Sequence, residues 1–554
     1  MIADTQTDGK WLLSKDPSGG NRLSCKEGIA VSALSYPLDL KGEYSVFVST
    51  DPGVGPVMLR LSGDERTERV FSTATEKETF WRRARMDRQH LVIKQRHYFT
   101  GCTASSLNYV KLVPLSKKDE INLNSRFAFK RDKFVGAYFE PYSWAFYSPV
   151  TENYQHREPI SAYAEAGVDL IAISGGRFGS KFVYESRTGD QLLYGTHGDP
   201  IEGKVPTTEN VGRMQQYTHM FQTEIKYARE MGLNVSAQLA ATNCYPGTLL
   251  EGDISKRHPD WRRDETLLLS VPQVRDYMLR CYRELLEIGA QGISVDFCRY
   301  PDGVDSAEDC NTLMREMRKL ADEFGKVRGK HVPILVRFPS TGMHRWQYFD
   351  YKTWAKEGLV DYLCPGNIHG VYQYFDVSPY LEAVKGTECK VTPEIDAIEW
   401  GPVMPGQFLQ RVKQLYDAGA HGVYIYQADG VINSRSEREC LSIAGSTAEV
   451  DRWLKDDDDR RPHCSKGIYI SKPLDSKAYG FWDRAQIWVE GIKTGDVETY
   501  IDGKLIGKMS AFPYLVGTDG YDSDKVIPVG EHKLLVRVKD GSGWLEQEFT
   551  INGQ

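Results

Sequence analysis

The chain has 554 residues, 41% hydrophobic and 26% charged, an ordinary globular composition and a length that calls for two to four domains. Its net charge of −7 is spread without a basic stripe, which argues against nucleic acid as a partner, and no apolar run of about 18 residues predicts a membrane span. Ten cysteines without a CxxC pair and twelve histidines without HxH or HExxH spacing argue against a metal site, and no motif calls for a cofactor.

Residues 1–120 hold short alternating runs, at 42–49, 57–61, 90–94 and 108–114, split by Gly, Asp and Pro. That spacing predicts an antiparallel, jelly-roll-like sandwich. Cys25 and Cys102 are a candidate disulfide within it.

From 130 to 455 the pattern becomes strand then helix, repeated. Strands are predicted at 134–140, 168–174, 233–239, 292–298, 332–338, 360–364, 390–394 and 422–427. Helices are predicted at 274–288, 311–324 and 408–418 from their apolar spacing. Gly167, Gly232, Gly289 and Gly419 each fall just before a predicted strand, where a helix end needs a left-handed residue. Eight such units predict a closed (β/α)8 barrel, and the lack of a Gly-rich phosphate loop after the first strand weakens a doubly wound sheet. Enlarged loops follow the second strand (177–208) and the third (243–272), on the rim where barrel chemistry sits. Residues 456–462 read as a charged linker. Residues 465–554 read as an immunoglobulin-like β-domain with a hairpin at 497–506 turning on Asp502-Gly503.

Alternate residues of a barrel strand face inward. The polar parity gives Ser174, Gln238, Asp296, Arg337, Glu394 and Gln427 at the carboxyl ends of six strands. Branched apolar side chains normally fill such an interior, so convergent polar residues there point to a site; the alternative is a buried polar network that holds the barrel together. Asp296 on the fourth strand and Glu394 on the seventh would face each other across the mouth. Glycosidic cleavage needs such a pair, one protonated to donate to the leaving oxygen and one that attacks or activates water. Asp296 is expected as nucleophile and Glu394 as general acid. A retaining course is expected, with the carboxylate separation deciding it. Arg337 between them would hold one ionised. Glu140, Asp396 and Glu399 are rival second carboxylates. Expected substrate contacts are Glu140, Gln238, Asn243, Trp261, Arg299, Tyr300, Arg337, Asn367, His369, Asp396, Trp400, Tyr426, Gln427 and Asp429. Trp144, Trp261 and Trp400 are candidate sugar-stacking rings.

Three pieces, His258-Pro-Asp-Trp261, residues 271–278 and Gly292-Ile-Ser-Val-Asp-Phe-Cys-Arg-Tyr-Pro301, resemble in order and spacing the glycosyl-hydrolase-like barrel family 10, which includes bacterial peptidoglycan deglycosidases. The resemblance covers mainly residues 258–303. It implies a glycoside-hydrolase barrel with Asp296 as a catalytic or subsite carboxylate. Ser294 and Cys298 depart from the family pattern, which leaves a different sugar or a loss of activity as alternatives.

The expected function is hydrolysis of a glycosidic bond in a poly- or oligosaccharide. A barrel that binds carbohydrate without turnover and a polysaccharide lyase are the alternatives. The expected partner is the carbohydrate substrate. The appended β-domain resembles modules of secreted bacterial enzymes, so a secreted or periplasmic location is expected, although residues 1–5 lack the features of a signal peptide.

Overall fold

The computed structural model describes residues 2–553 except 4–8, 17–18, 52–53, 55–56, 65–66, 71–77, 96, 99–100, 103, 119–129, 148–149, 193–206, 299–300, 368–374, 397–404, 429–431, 433–434, 456–466, 471–485, 491–495, 510–513 and 516–527. Its centre is an α/β barrel. The strands are β1 (Phe134–Phe139), β2 (Leu170–Arg177), β3 (Asn234–Ala240), β4 (Gly292–Asp296), β5 (Ile334–Pro339), β6 (Tyr362–Gly366), β7 (Lys390–Val391 and Glu394–Asp396) and β8 (Gly422–Tyr426). All pair in parallel with their sequence neighbours, and β1 pairs with β8. The circle closes through β7, whose first piece pairs with β6 and whose second pairs with β8. The break falls at Thr392 and Pro393. Proline lacks the ladder N–H, so the strand changes partners where that donor is missing. The Pro393 carbonyl still accepts from the Tyr424 N–H at 3.0 Å.

Strand alternation splits the barrel into two cores. One parity (Val135, Ile171, Val235, Ile293, Val336, Leu363, Val391, Val423) packs outward into the large cluster shared with the helices. The other places Tyr138, Leu170, Ala172, Leu335, Cys364, Tyr424 and Tyr426 in a separate inner cluster, with Phe134 and Tyr362 stacked at 4.6 Å. The interior is therefore a packed layer rather than a pore.

The helices include α1 (Pro141–Tyr147), α2 (Arg157–Glu165), α3 (Met220–Glu230), α4 (Pro272–Ile288), α5 (Ala307–Arg328), α6 (Pro405–Asp417) and α7 (Arg435–Ala444). Ser306 caps α5 by accepting from the Asp309 N–H. Gly167, Gly232, Gly289 and Gly419 have φ of +66°, +81°, +130° and +106°, the conformation their position requires.

Antiparallel sheets flank the barrel on both sides. On the N-terminal side, the described strands from Ile2–Ala3 to Tyr109–Pro114 form four sheets, antiparallel except where Ile2–Ala3 pairs in parallel with Trp11 and Leu12, over their own core, which includes Trp11, Val46, Leu59 and Trp81. Cys25 is buried there, and the side chain of Cys102, its candidate disulfide partner, lies outside the described residues. On the C-terminal side, Val497–Ile501 and Lys504–Met509 form the expected hairpin, with φ of +48° at Asp502 and +79° at Gly503. No helix among the described residues is long and apolar enough to cross a membrane.

Candidate active site

The inner parity carries polar groups at its carboxyl end, and Arg337 is their hub. Its side chain is fully buried. Nη1 donates to Asp296 Oδ1 at 2.9 Å and Oδ2 at 3.2 Å, Nη2 donates to the Asn367 carbonyl at 2.9 Å, and Nε donates to Glu394 Oε2. The guanidinium carbon lies 3.5 Å above the Tyr426 ring centroid. Burial works against the charge of Arg337, but Asp296 and Glu394 outweigh it and hold the group protonated.

Asp296 is 2% exposed. Its Oδ1 also accepts from the Cys298 N–H at 2.9 Å, and its Oδ2 from the Gln238 amide at 3.2 Å. Gln238 Oε1 is occupied by the hydroxyls of Tyr424 at 2.8 Å and Ser294 at 3.2 Å, so only its NH2 can face Asp296. Asp296 thus takes four donor contacts, the full capacity of an ionised carboxylate.

Glu394 is also 2% exposed but differently served. Oε2 binds Arg337, while Oε1 is buried without a hydrogen-bond partner among the described residues. Burial pushes its pKa up, and the opposing pull of Arg337 does not cancel the effect. Gly366, at the end of β6, leaves the room Glu394 occupies, since a Cβ there would collide with the carboxylate. Burial also pushes up the thiols of Cys298 and Cys364 beside Arg337, so neither is a thiolate nucleophile.

A second polar group sits at the ends of β1 and β2. Glu140 follows β1 and accepts from the Tyr138 hydroxyl at 2.8 Å. Arg177 ends β2, with Nη2 at 3.7 Å from Glu140 Oε1. Its guanidinium lies over the rings of Tyr142 (5.4 Å) and Tyr245 (5.3 Å). The stacked pair Tyr138 and Tyr426, at 5.0 Å, joins this group to Arg337.

Of the residues expected from sequence, Gln238, Asp296, Arg337, Glu394 and Tyr426 are brought into one network, and Asn367 joins through its backbone. Gln427 does not continue the inward row: β8 ends at Tyr426, its inner residues are Tyr424 and Tyr426, and Gln427, buried, follows the strand with φ of +49°. Asn243 is wholly buried, and its Oδ1 accepts from the Tyr245 N–H at 3.2 Å. The Trp261 ring is covered on one face by His258 at 3.7 Å with an 8° interplanar angle, and Trp144 packs against Phe139 and His156. Arg299, Tyr300, His369, Glu399, Trp400, Asp429 and the side chain of Asp396 lie outside the described residues. Arg177, Tyr138 and Tyr424 were not expected. Among the described residues no group of three His, Cys, Asp or Glu side chains is placed to hold a metal ion.

No protein-family profile and no curated protein matches the chain. Solved structures similar to it include an endo-beta-1,4-mannanase from Thermotoga petrophila, at 12% identity and a TM-score of 0.39 over 77% of this chain and 99% of that one. An alpha-galactosidase from Thermus thermophilus is similar at 12% identity and a TM-score of 0.34, over 86% and 94%. A GH30 endoxylanase from Clostridium papyrosolvens is similar at 11% identity and a TM-score of 0.32, over 76% and 94%.

Proposed function

We propose that the protein is a glycoside hydrolase acting on a poly- or oligosaccharide, with Asp296 and Glu394 as its bond-breaking carboxylates. The observation that carries this reading is their common guanidinium: carboxylates from β4 and β7 both bond to Arg337 at the carboxyl end of the barrel. A sugar at that point meets an anion and a proton donor. Glu394 is the general acid, because burial favours its protonated form and Oε1 is the oxygen without a partner. It protonates the glycosidic oxygen as the C–O bond breaks. Asp296 attacks the anomeric carbon to give a glycosyl ester. Water then opens the ester, losing a proton to the Glu394 carboxylate, and both groups are restored. A single guanidinium spanning both carboxylates favours the shorter separation that accompanies retention. Arg299, Tyr300, His369, Asp396, Trp400 and Asp429 are further proposed sugar contacts, and a secreted or periplasmic location belongs to the same proposal.

A second reading is favoured by one observation. The four donor contacts on Asp296 and the 2% exposure of both carboxylates also suit a structural network in a barrel that binds carbohydrate without cleaving it. Digestion of a defined panel of poly- and oligosaccharides, followed by proton NMR of fresh products, separates the two. The hydrolase reading expects new reducing ends with the anomeric configuration of the substrate. Binding without product release would establish the second reading, inverted products would remove the glycosyl ester, and unsaturated products would indicate a lyase.

A further inference from the structure

Strict alternation along β2 would turn Arg177 away from the mouth, because Ser174 faces inward. The structure interrupts that alternation: the pairing of β2 with β3 shifts register between Ser174 and Arg177, with Gly176 at φ +124°. Glycine is required on both counts. Gly176 has a backbone that side chains rarely adopt, and a Cβ on Gly175 would stand 2.9 Å from the Tyr184 ring. Bulges of this kind re-aim a side chain, and they concentrate beside functional sites. Here the bulge brings Arg177 to Glu140 and over Tyr142 and Tyr245. Tyr245 itself sits at φ +48°, a strained position for a bulky residue, held by the Asn243 side chain. Two uncommon backbone conformations, on different elements, thus converge on one guanidinium.

We propose that Arg177 and Glu140 form a second sugar subsite that grips adjacent hydroxyls of a neutral residue of the glycan, on the β1–β3 side of the mouth. The proposal rests on the glycoside hydrolase reading and names its substrate as a neutral oligosaccharide lying across the mouth from Arg177 to Glu394. A guanidinium donates and a carboxylate accepts, so the pair matches a vicinal diol, each hydroxyl of which does both. A uronate fits less well. Its carboxylate would approach Arg177 beside Glu140, which already balances that charge at 3.7 Å, and would meet like-charge repulsion.

The test is calorimetric titration of neutral and uronate-containing oligosaccharides into the full chain carrying Glu394→Gln, which prevents turnover, with and without Arg177→Met, Arg177→Lys or Glu140→Gln. Thermal unfolding of each variant identifies any that are misfolded, and Arg177→Lys and Glu140→Gln serve if Arg177→Met does not fold. The expected result is binding of a neutral oligosaccharide, weakened about 10- to 100-fold by Arg177→Met and by Glu140→Gln and less by Arg177→Lys. No binding of any neutral oligosaccharide, binding unchanged by the variants, or a preference for uronates would overturn the subsite. If the expected pattern holds while the unsubstituted protein releases no product, the subsite stands and the hydrolase reading falls.

Discussion

In the proposed mechanism Glu394 has to donate a proton under conditions where an ordinary glutamate is ionised, and its burial favours that. Its pKa is raised above the ordinary 4.5, chiefly by burial. The folded state therefore holds this proton more tightly than the unfolded chain does. The resulting stability is fully present below the unfolded value and is lost as pH rises through the folded one. Urea denaturation from pH 4 upward should show this loss in the parent protein, and Glu394→Gln, which cannot ionise, should lack that component. Parallel pH profiles would place the proton elsewhere. Gly366 gives a second prediction. Gly366→Ala should displace the Glu394 carboxylate and lower kcat/KM about 100-fold, with a far smaller effect on the rate of folding. Asp296, Arg337 and Glu394 were legible in the sequence because charged residues on buried strands are costly and so stand out. Arg177 was not legible: its orientation depends on a bulge at Gly175-Gly176, and period-two reasoning assigns it the wrong face. Tyr424 was missed for another reason. A tyrosine on a barrel strand reads as packing until its hydroxyl is seen on Gln238.

At the scale of elements, the eight strand–helix units could be read from apolar periodicity and from the glycines that end the helices. Gly232 isolates the backbone part of that signal. Its φ is +81° and an alanine methyl there would meet nothing within 4 Å, so Gly232→Ala meets strain without a clash. We expect a loss of about 1 kcal/mol in chemical denaturation. No loss would mean that the α3–β3 turn relaxes to another conformation. The division of β7 was not legible, because a Pro within a short strand does not reveal that the two halves serve different neighbours. The end of β8 was misread for a related reason. Polar Gln427 prolongs the sequence pattern, but the backbone has already left the strand.

At the scale of the molecule, the N-terminal sheets are fixed to the barrel by an ion-pair cluster. Arg438 on α7, 2% exposed, donates to Glu68 and, at 3.2 Å, to Glu165 on α2, while Glu68 also accepts from the Trp81 indole at 2.7 Å. Glu68 and Arg438 lie 370 positions apart, so no local pattern could pair them. Removing one partner would leave a buried charge uncompensated, so Arg438→Met should cost about 3–5 kcal/mol. Scanning calorimetry should then resolve the N-terminal sheets as a separate, earlier transition; a single unshifted transition would show that the cluster does not hold the two parts together.

The proposed chemistry depends most on the pair of carboxylates joined by Arg337. Its most direct test is the rate of product release from the glycan panel by the parent protein, Asp296→Asn and Glu394→Gln under one set of conditions. Each amide replacement should lower the rate at least about 100-fold while the barrel stays folded. Unchanged rates in both variants would contradict the account.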